Sequence, residues 1–189
     1  MKTSRLSGFT LIEILVVVSI IAILSVMLYA GFVDSLKASR DATRKTDLKQ
    51  LQLAIESYRA QNGQYPEQGC DTGNFWSGPG PHSGIGANES DCSEWIIGLV
   101  PDFISELPTD PASEMNENSG FLYNVGGSSS DRNTYKVLLY QSVESDEINS
   151  FGEDFARCPF DCSAVTASFC NDVPPRTSYA AYSVGGECY

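Results

Sequence analysis

The sequence predicts an α+β chain in which a long N-terminal helix, membrane-spanning in its first half, packs against a small antiparallel sheet and a disulfide-stapled C-terminal region. Three observations carry that expectation. From Ile14 to Val33 there is no charged residue, and about twenty residues at 1.5 Å rise match a hydrocarbon core of roughly 30 Å. Phe121–Val125 and Thr134–Val143 are rich in aromatic and branched residues on either side of the turn-forming "GGSSSDRN", which reads as a hairpin. All six cysteines lie beyond residue 69, a distribution that suits an oxidising compartment and places the C-terminal part outside the cytoplasm.

The first element is the apolar run. A cleaved secretory signal would need a small-x-small exit, but Leu28 occupies the position that would have to be small before Ala30, so a retained anchor is expected. Basic residues flank the span on both sides, so the cysteines, and not the charges, set its orientation. Near the start of the run stands Glu13. A carboxylate deep in a bilayer costs roughly 2.5–3.5 kcal/mol on insertion scales, so it is expected to have a partner and a task. Cleavage after Gly8 would make Phe9 the first residue, and its amine would be a cation at the depth of Glu13. Between staggered copies, Glu13 of one chain could meet the Phe9 amine of the next, and the cost of burying each charge becomes a registration rule for assembly.

Gly8, Phe9, Thr10, Leu11, Ile12 and Glu13, behind a short basic leader and ahead of an apolar run, resemble the type IV pilin and type II secretion pseudopilin family. The resemblance implies a pilin-like α+β fold. It also implies that a prepilin peptidase in the membrane cuts between Gly8 and Phe9 and methylates the new amine to N-methylphenylalanine, and that Glu13 directs filament assembly. Residues 1–8 would then be a prepilin leader, 9–33 a transmembrane and assembly helix, 34–63 its amphipathic continuation, and 64–189 an extracytoplasmic head. The implied partners are copies of the chain or other pilin-like subunits, prepilin peptidase, the inner-membrane assembly machinery, and membrane lipid before assembly. The proline that the family commonly carries near the position of Ala30 is absent; Gly31, Ser19 and Ser25 could soften the helix instead.

Asp34–Gln61 contains no proline and interleaves polar residues with Leu36, Ala42, Leu48, Leu51, Ile55 and Tyr58. The last four fall at helical spacing on one stripe, which is expected to back onto a sheet. Asn62 and Gly63 supply the stop. From Phe9 to Gln61 the rod would be about 80 Å long.

The loop 64–93 is rich in glycine, proline and polar residues. A Cys70–Cys92 bridge would tie it down, contributing roughly 3 kcal/mol in the chain-entropy model. His82 stands in it without companions and reads as an exposed side chain. "SEWIIGLVPDFISELPTDP" reads as a short helix ended at Gly98, followed by turns around Pro101, Pro108 and Pro111. "LPTDP" followed by "GFLYNV" is similar to the segment of the major pseudopilins and many pilins that enters the sheet. Asp110, Ser113, Glu114, Asn116 and Glu117 crowd the intervening loop with the oxygen ligands that calcium takes. The resemblance makes Asp110, Glu114 and Glu117 calcium candidates, but the spacing is not that of an EF-hand and the tryptophan and glycine usual after "DP" in the family are missing. The reading adopted is solvated acids with no cofactor.

The hairpin of the sheet, about 120–145, needs the α1 stripe beneath it and a third strand from Ser178 to Val184, since two strands alone are marginal. The tail 150–189 holds Cys158, Cys162, Cys170 and Cys188. Zinc is the rival to disulfides there, but the Cys158–Cys162 spacing is not a two-residue knuckle and the region has no histidine. Two disulfides are expected, with Cys170–Cys188 resembling the C-terminal loop staple of pilins.

There are 24 acids against 12 bases, a formal net charge of -12, so the surface should repel phosphate backbones. Nucleic acid is accordingly not expected as a principal partner. The sequence offers no phosphate loop and no nucleophile elbow, and its one histidine is isolated, so an enzyme is not expected. The leading functional reading is a structural subunit of a type IV pilus-type filament. It would be anchored in the inner membrane by a single pass with its head outside, and would later sit in a surface or envelope-spanning fibre. A type II secretion pseudopilin is the alternative, and a minor or tip pilin for adhesion or DNA uptake is the third.

Overall fold

A computed structural model of the chain describes residues 8–69, 76–79, 92–112, 119–126, 132–145, 155 and 178–184. The chain divides into two compact units, 1–37 and 38–189.

Helix α1, Leu11–Asn62, contributes to both. It is the one described helix long and apolar enough to cross a membrane. The helix passes through Gly31 without a break. The hydroxyls of Ser19 and Ser25 donate to the carbonyls of Val16 and Ile21, so each is satisfied inside the apolar run. At the far end Gly63 takes a φ of 79° and donates its N–H to the Arg59 carbonyl at 2.8 Å. This left-handed cap closes the helix where the Asn62–Gly63 pair predicts.

In the second unit, strands β1 (Gly120–Gly126), β2 (Thr134–Tyr140) and β3 (Tyr179–Tyr182) form one antiparallel sheet in that spatial order. Phe121 faces Leu139 and Val137 faces Ala181 across the two ladders. The pleat divides the side chains. Phe121, Tyr123, Tyr135, Val137, Leu139, Tyr179 and Ala181 turn inward with Leu48, Leu51, Ala54 and Ile55 of α1, while Leu122, Leu138 and Ala180 join Trp76 in a second cluster. The expected stripe therefore does meet the sheet, with Tyr58 half-buried at its end. Leu36 and Ala42 lie off the stripe and are exposed.

The sheet edges are occupied. Ser77 exchanges backbone hydrogen bonds with Tyr123 on the outer side of β1, and Ala180 of β3 donates to the Phe155 carbonyl. Such pairing removes open donors that would otherwise template aggregation.

Three expectations change. The Glu94–Gly98 stretch is a series of turns and not a short helix. Its backbone pairs sideways, with Gly69 donating to Trp95 and Ile97 to Glu67, and its apolar residues Trp95, Ile96 and Leu99 are buried in the main core. Strand β2 stops at Tyr140, not Val143, because Gln141 adopts a φ of 48° and turns the chain toward α1. Strand β3 is shorter than Ser178–Val184. Its flanking Ser178 and Ser183 accept from the backbone N–H groups of Gln141 and Tyr135 through their hydroxyls and so end the ladder.

Candidate functional site

The residues expected to serve processing and assembly, Gly8, Phe9 and Glu13, sit at the start of α1. Leu11 is the first helical residue, so Thr10 is the N-cap and Glu13 the third helical position. The Thr10 backbone N–H donates to Glu13 Oε2 at 2.7 Å, the Thr10 hydroxyl donates to the same oxygen at 2.7 Å, and Glu13 N–H donates back to Thr10 Oγ1 at 3.3 Å. This is a capping box, in which cap and carboxylate satisfy each other's orphan groups. Glu13 thus has an in-chain partner that the reading from composition and charge does not supply, although the Thr-x-x-Glu pattern announces it. The carboxylate also lies at the positive end of the helix dipole, which favours an anion by about 0.3–1 kcal/mol.

Gly8 has no neighbouring atom within 4 Å of where a side chain would begin, and Phe9 is 84% exposed. Among the described residues nothing covers Gly8 or Phe9, and the apolar side chains of Leu11–Val26 form an uncovered surface.

A second constellation lies in the 38–189 unit and is built on Asp41 and Arg44. These residues continue the Leu48–Leu51–Ile55 stripe one and two turns toward the N-terminus, so the helix turns them inward. Arg44 is fully buried. Its Nε and Nη2 reach Asp110 Oδ1 at 3.0 and 2.6 Å, its Nη1 reaches Asp41 Oδ1 at 2.8 Å, and Nη2 also lies 2.7 Å from Glu144 Oε1. Asp41 accepts from the backbone N–H and hydroxyl of Ser145, at 2.8 and 2.6 Å, and from the Glu144 N–H. Arg40 donates to both Glu144 oxygens, through Nε at 2.9 Å and through Nη2. One helical turn thereby fastens the turn after β2 and the "LPTDP" segment. Burial opposes the Arg44 charge, but Asp110, Glu144 and Asp41 outweigh it and hold the guanidinium more firmly charged than usual.

Glu144 makes the cluster sensitive to pH. Hydrogen bonds from Arg40, then from Arg44, hold its pKa down at about 2, against an ordinary 4.5. A depressed carboxylate contributes stability above its unfolded pKa and loses it as pH falls through the folded one. Unfolding midpoints should therefore fall between pH 4.5 and about 2, and Glu144→Gln should flatten that slope in pH-dependent denaturant titrations.

Asp110 is thus not a solvated acid. It is buried, with Oδ1 shared by Arg44 and the Ala112 N–H, while Oδ2 has no hydrogen-bond partner among the described residues. Glu114 and Glu117 lie outside the described residues, and among those described no group of three His, Cys, Asp or Glu side chains could hold a metal ion. Cys92 is buried in the main core. Cys70, Cys158, Cys162, Cys170 and Cys188 lie outside the described residues, as does His82.

Residues 4–29 match the prokaryotic N-terminal methylation motif, which covers the capping box and the uncovered apolar helix. The N-terminal part of the chain is similar to that of type II secretion and type IV pilin proteins. The chain is 33% identical over 73 residues to the type II secretion system core protein G of Aeromonas hydrophila, and 34% identical over 73 residues to that of Pseudomonas aeruginosa. It is 35% identical over 71 residues to the type IV major pilin protein PilA of Myxococcus xanthus. The alignments take in 38%, 38% and 35% of this chain, and 51%, 51% and 32% of those proteins respectively. The chain thus spans about half the length of the secretion proteins it matches and a third of the pilin. No solved structure matches it significantly.

Proposed function

We propose that the chain is a structural subunit of a type IV pilus-type filament, cut by prepilin peptidase between Gly8 and Phe9 and assembled through its N-terminal helix. One observation carries this reading: a carboxyl side chain, Glu13, is held by Thr10 at the head of an uncovered apolar helix, a few residues after an exposed Gly8–Phe9 pair. Before assembly the helix sits in the inner membrane with the head outside. On processing, the Phe9 amine appears beside the cap, and in the fibre Glu13 of one subunit meets the amine of its neighbour. The proposed segments are the leader 1–8, the assembly helix 9–33, its amphipathic continuation 34–63 and the head 64–189, stapled by disulfides drawn from Cys70, Cys92, Cys158, Cys162, Cys170 and Cys188.

Type II secretion pseudopilin is the second reading, supported by "LPTDP" and by the two matches to secretion core protein G. Both readings require the same processing. Intact-mass and N-terminal sequencing of material sheared from cells is expected to give a chain beginning at Phe9 and heavier by one methyl group. A subunit retaining Met1–Gly8 would overturn both. Abundant sheared surface fibres would favour the pilus, and their absence despite correct processing the secretion role.

A further inference from the structure

We propose that Thr10 is a positioning residue for cleavage: its capping box with Glu13 fixes where α1 begins and so keeps the Gly8–Phe9 bond out of the helix that follows it. The inference rests on the processing reading above. Its basis is where two backbone donors go. Were α1 to run further back, the Glu13 N–H would donate to the Phe9 carbonyl, four residues earlier. It is given to Thr10 Oγ1 instead, at 3.3 Å. The Thr10 N–H, which would seek the Leu6 carbonyl in the same way, goes to Glu13 Oε2 at 2.7 Å. The main-chain ladder reaches back only to Thr10, whose carbonyl accepts from the Ile14 N–H at 3.3 Å. Gly8, Phe9 and Thr10 stand outside the helix.

Packing does not explain that boundary. Gly8 has no atom within 4 Å of where a side chain would begin, and Phe9 is 84% exposed, so no tertiary contact among the described residues holds the pair out of the helix. The cap does. Without it, the stranded Glu13 N–H finds its replacement acceptor in the Phe9 carbonyl, and Ser7 is the next residue upstream in the sequence able to cap. The helix would then restart there, with Gly8 and Phe9 in its first turn. Gly8, a poor helix former, opposes the same restart, so the two residues act in one direction. Backbone is cut where it is locally open, and a helix laid over the bond must first unwind. That requirement lowers the competent fraction of the substrate, which raises the apparent KM and leaves kcat alone.

The test uses the full-length chain in detergent micelles with purified prepilin peptidase. Thr10→Ala is expected to raise KM about fivefold at unchanged kcat, the size of effect that a lost cap has on a helix equilibrium. Thr10→Ser and Thr10→Asn restore a capping oxygen and should be cut within about twofold of wild type. Carbon chemical shifts of the uncut chain should place the first helical residue at Leu11 in wild type and in both restoring variants, and at or before Phe9 in Thr10→Ala. Cleavage of Thr10→Ala within about twofold of wild type, or slow cleavage with its helix start unmoved, would overturn the positioning role. So would slow cleavage of Thr10→Asn with its helix still starting at Leu11, because the peptidase would then be reading threonine itself. Each of these outcomes leaves the processing reading standing. A wild-type chain that the peptidase leaves uncut would bring down both.

Discussion

Arg44→Met is expected to destabilise the head by about 3–5 kcal/mol, because it leaves Asp41 and Asp110 buried without their cation. Arg44 has 1% of its side chain exposed and Asp110 none, so water cannot replace the lost donors. Methionine fills much of the same volume, which confines the loss to the charge and its hydrogen bonds. The second half of the argument is the double variant. When Asp110→Asn accompanies Arg44→Met, one of the stranded charges disappears, and the pair should recover about 1–3 kcal/mol as a coupling energy. Denaturant unfolding of the detergent-solubilised chain, followed by the fluorescence of the buried Trp95, measures both numbers. A single-variant loss below about 1 kcal/mol would mean that the cluster is an exposed-type ion pair in energetic terms, and that the post-β2 turn and the "LPTDP" segment are held to α1 by something else.

How much of this was legible in the residues differs from place to place, for physical reasons. The sheet-facing stripe of α1 is legible because Leu48, Leu51, Ile55 and Tyr58 are apolar at helical spacing, and burial follows hydrophobicity. Asp41 and Arg44 share that phase, yet a search for apolar periodicity passes over them, since charged residues on a helix are usually solvated. The signal that finds them is phase alone: an acid and a base three residues apart, in line with a buried stripe. Their partners Asp110 and Glu144 are 66 and 103 residues from Arg44 and Asp41 in the chain, a relationship that local pattern cannot express. The segment around Trp95 misleads for a related reason. Trp95, Ile96 and Leu99 have the spacing of a helical face, but the carbonyl and N–H groups that a helix would use are taken by Gly69 and Glu67. Tertiary pairing overrides local preference there, and Gly98, at a φ of 79° and with the Tyr58 ring crowding the place where a side chain would begin, fixes the turn.

At the N-terminus the opposite holds. The Thr10-x-x-Glu13 cap is local chemistry, written in four consecutive residues. The structure adds that Glu13 is not waiting unpaired. Its carboxylate takes two donors from Thr10, which reduces the cost of holding it in the bilayer before any neighbour arrives. The proposed filament contact would compete with this cap, or share Glu13 with it through the second carboxylate oxygen, Oε1, which the cap leaves over.

That competition makes position 13 the place where capping and charge can be separated. Glu13→Leu removes both, and Glu13→Gln removes the charge while retaining a residue that can complete a capping box. Losing the cap costs about 0.5–2 kcal/mol of helix stability, but removing a carboxylate from the bilayer returns roughly 2.5–3.5 kcal/mol, so both variants should reach the membrane at wild-type levels. If Glu13 acts through an ion pair with the neighbour's Phe9 amine, both variants strand that amine in lipid at a cost of about 3–5 kcal/mol. Filament incorporation should then fall by more than a hundredfold in each, at about 1.4 kcal/mol per factor of ten. Immunoblots of membrane and sheared-fibre fractions read the two quantities side by side. Should Glu13→Gln assemble like the wild type while Glu13→Leu fails, the capping box and not the charge would be what the filament requires, and the registration rule would have to be sought in the shape of the helix terminus.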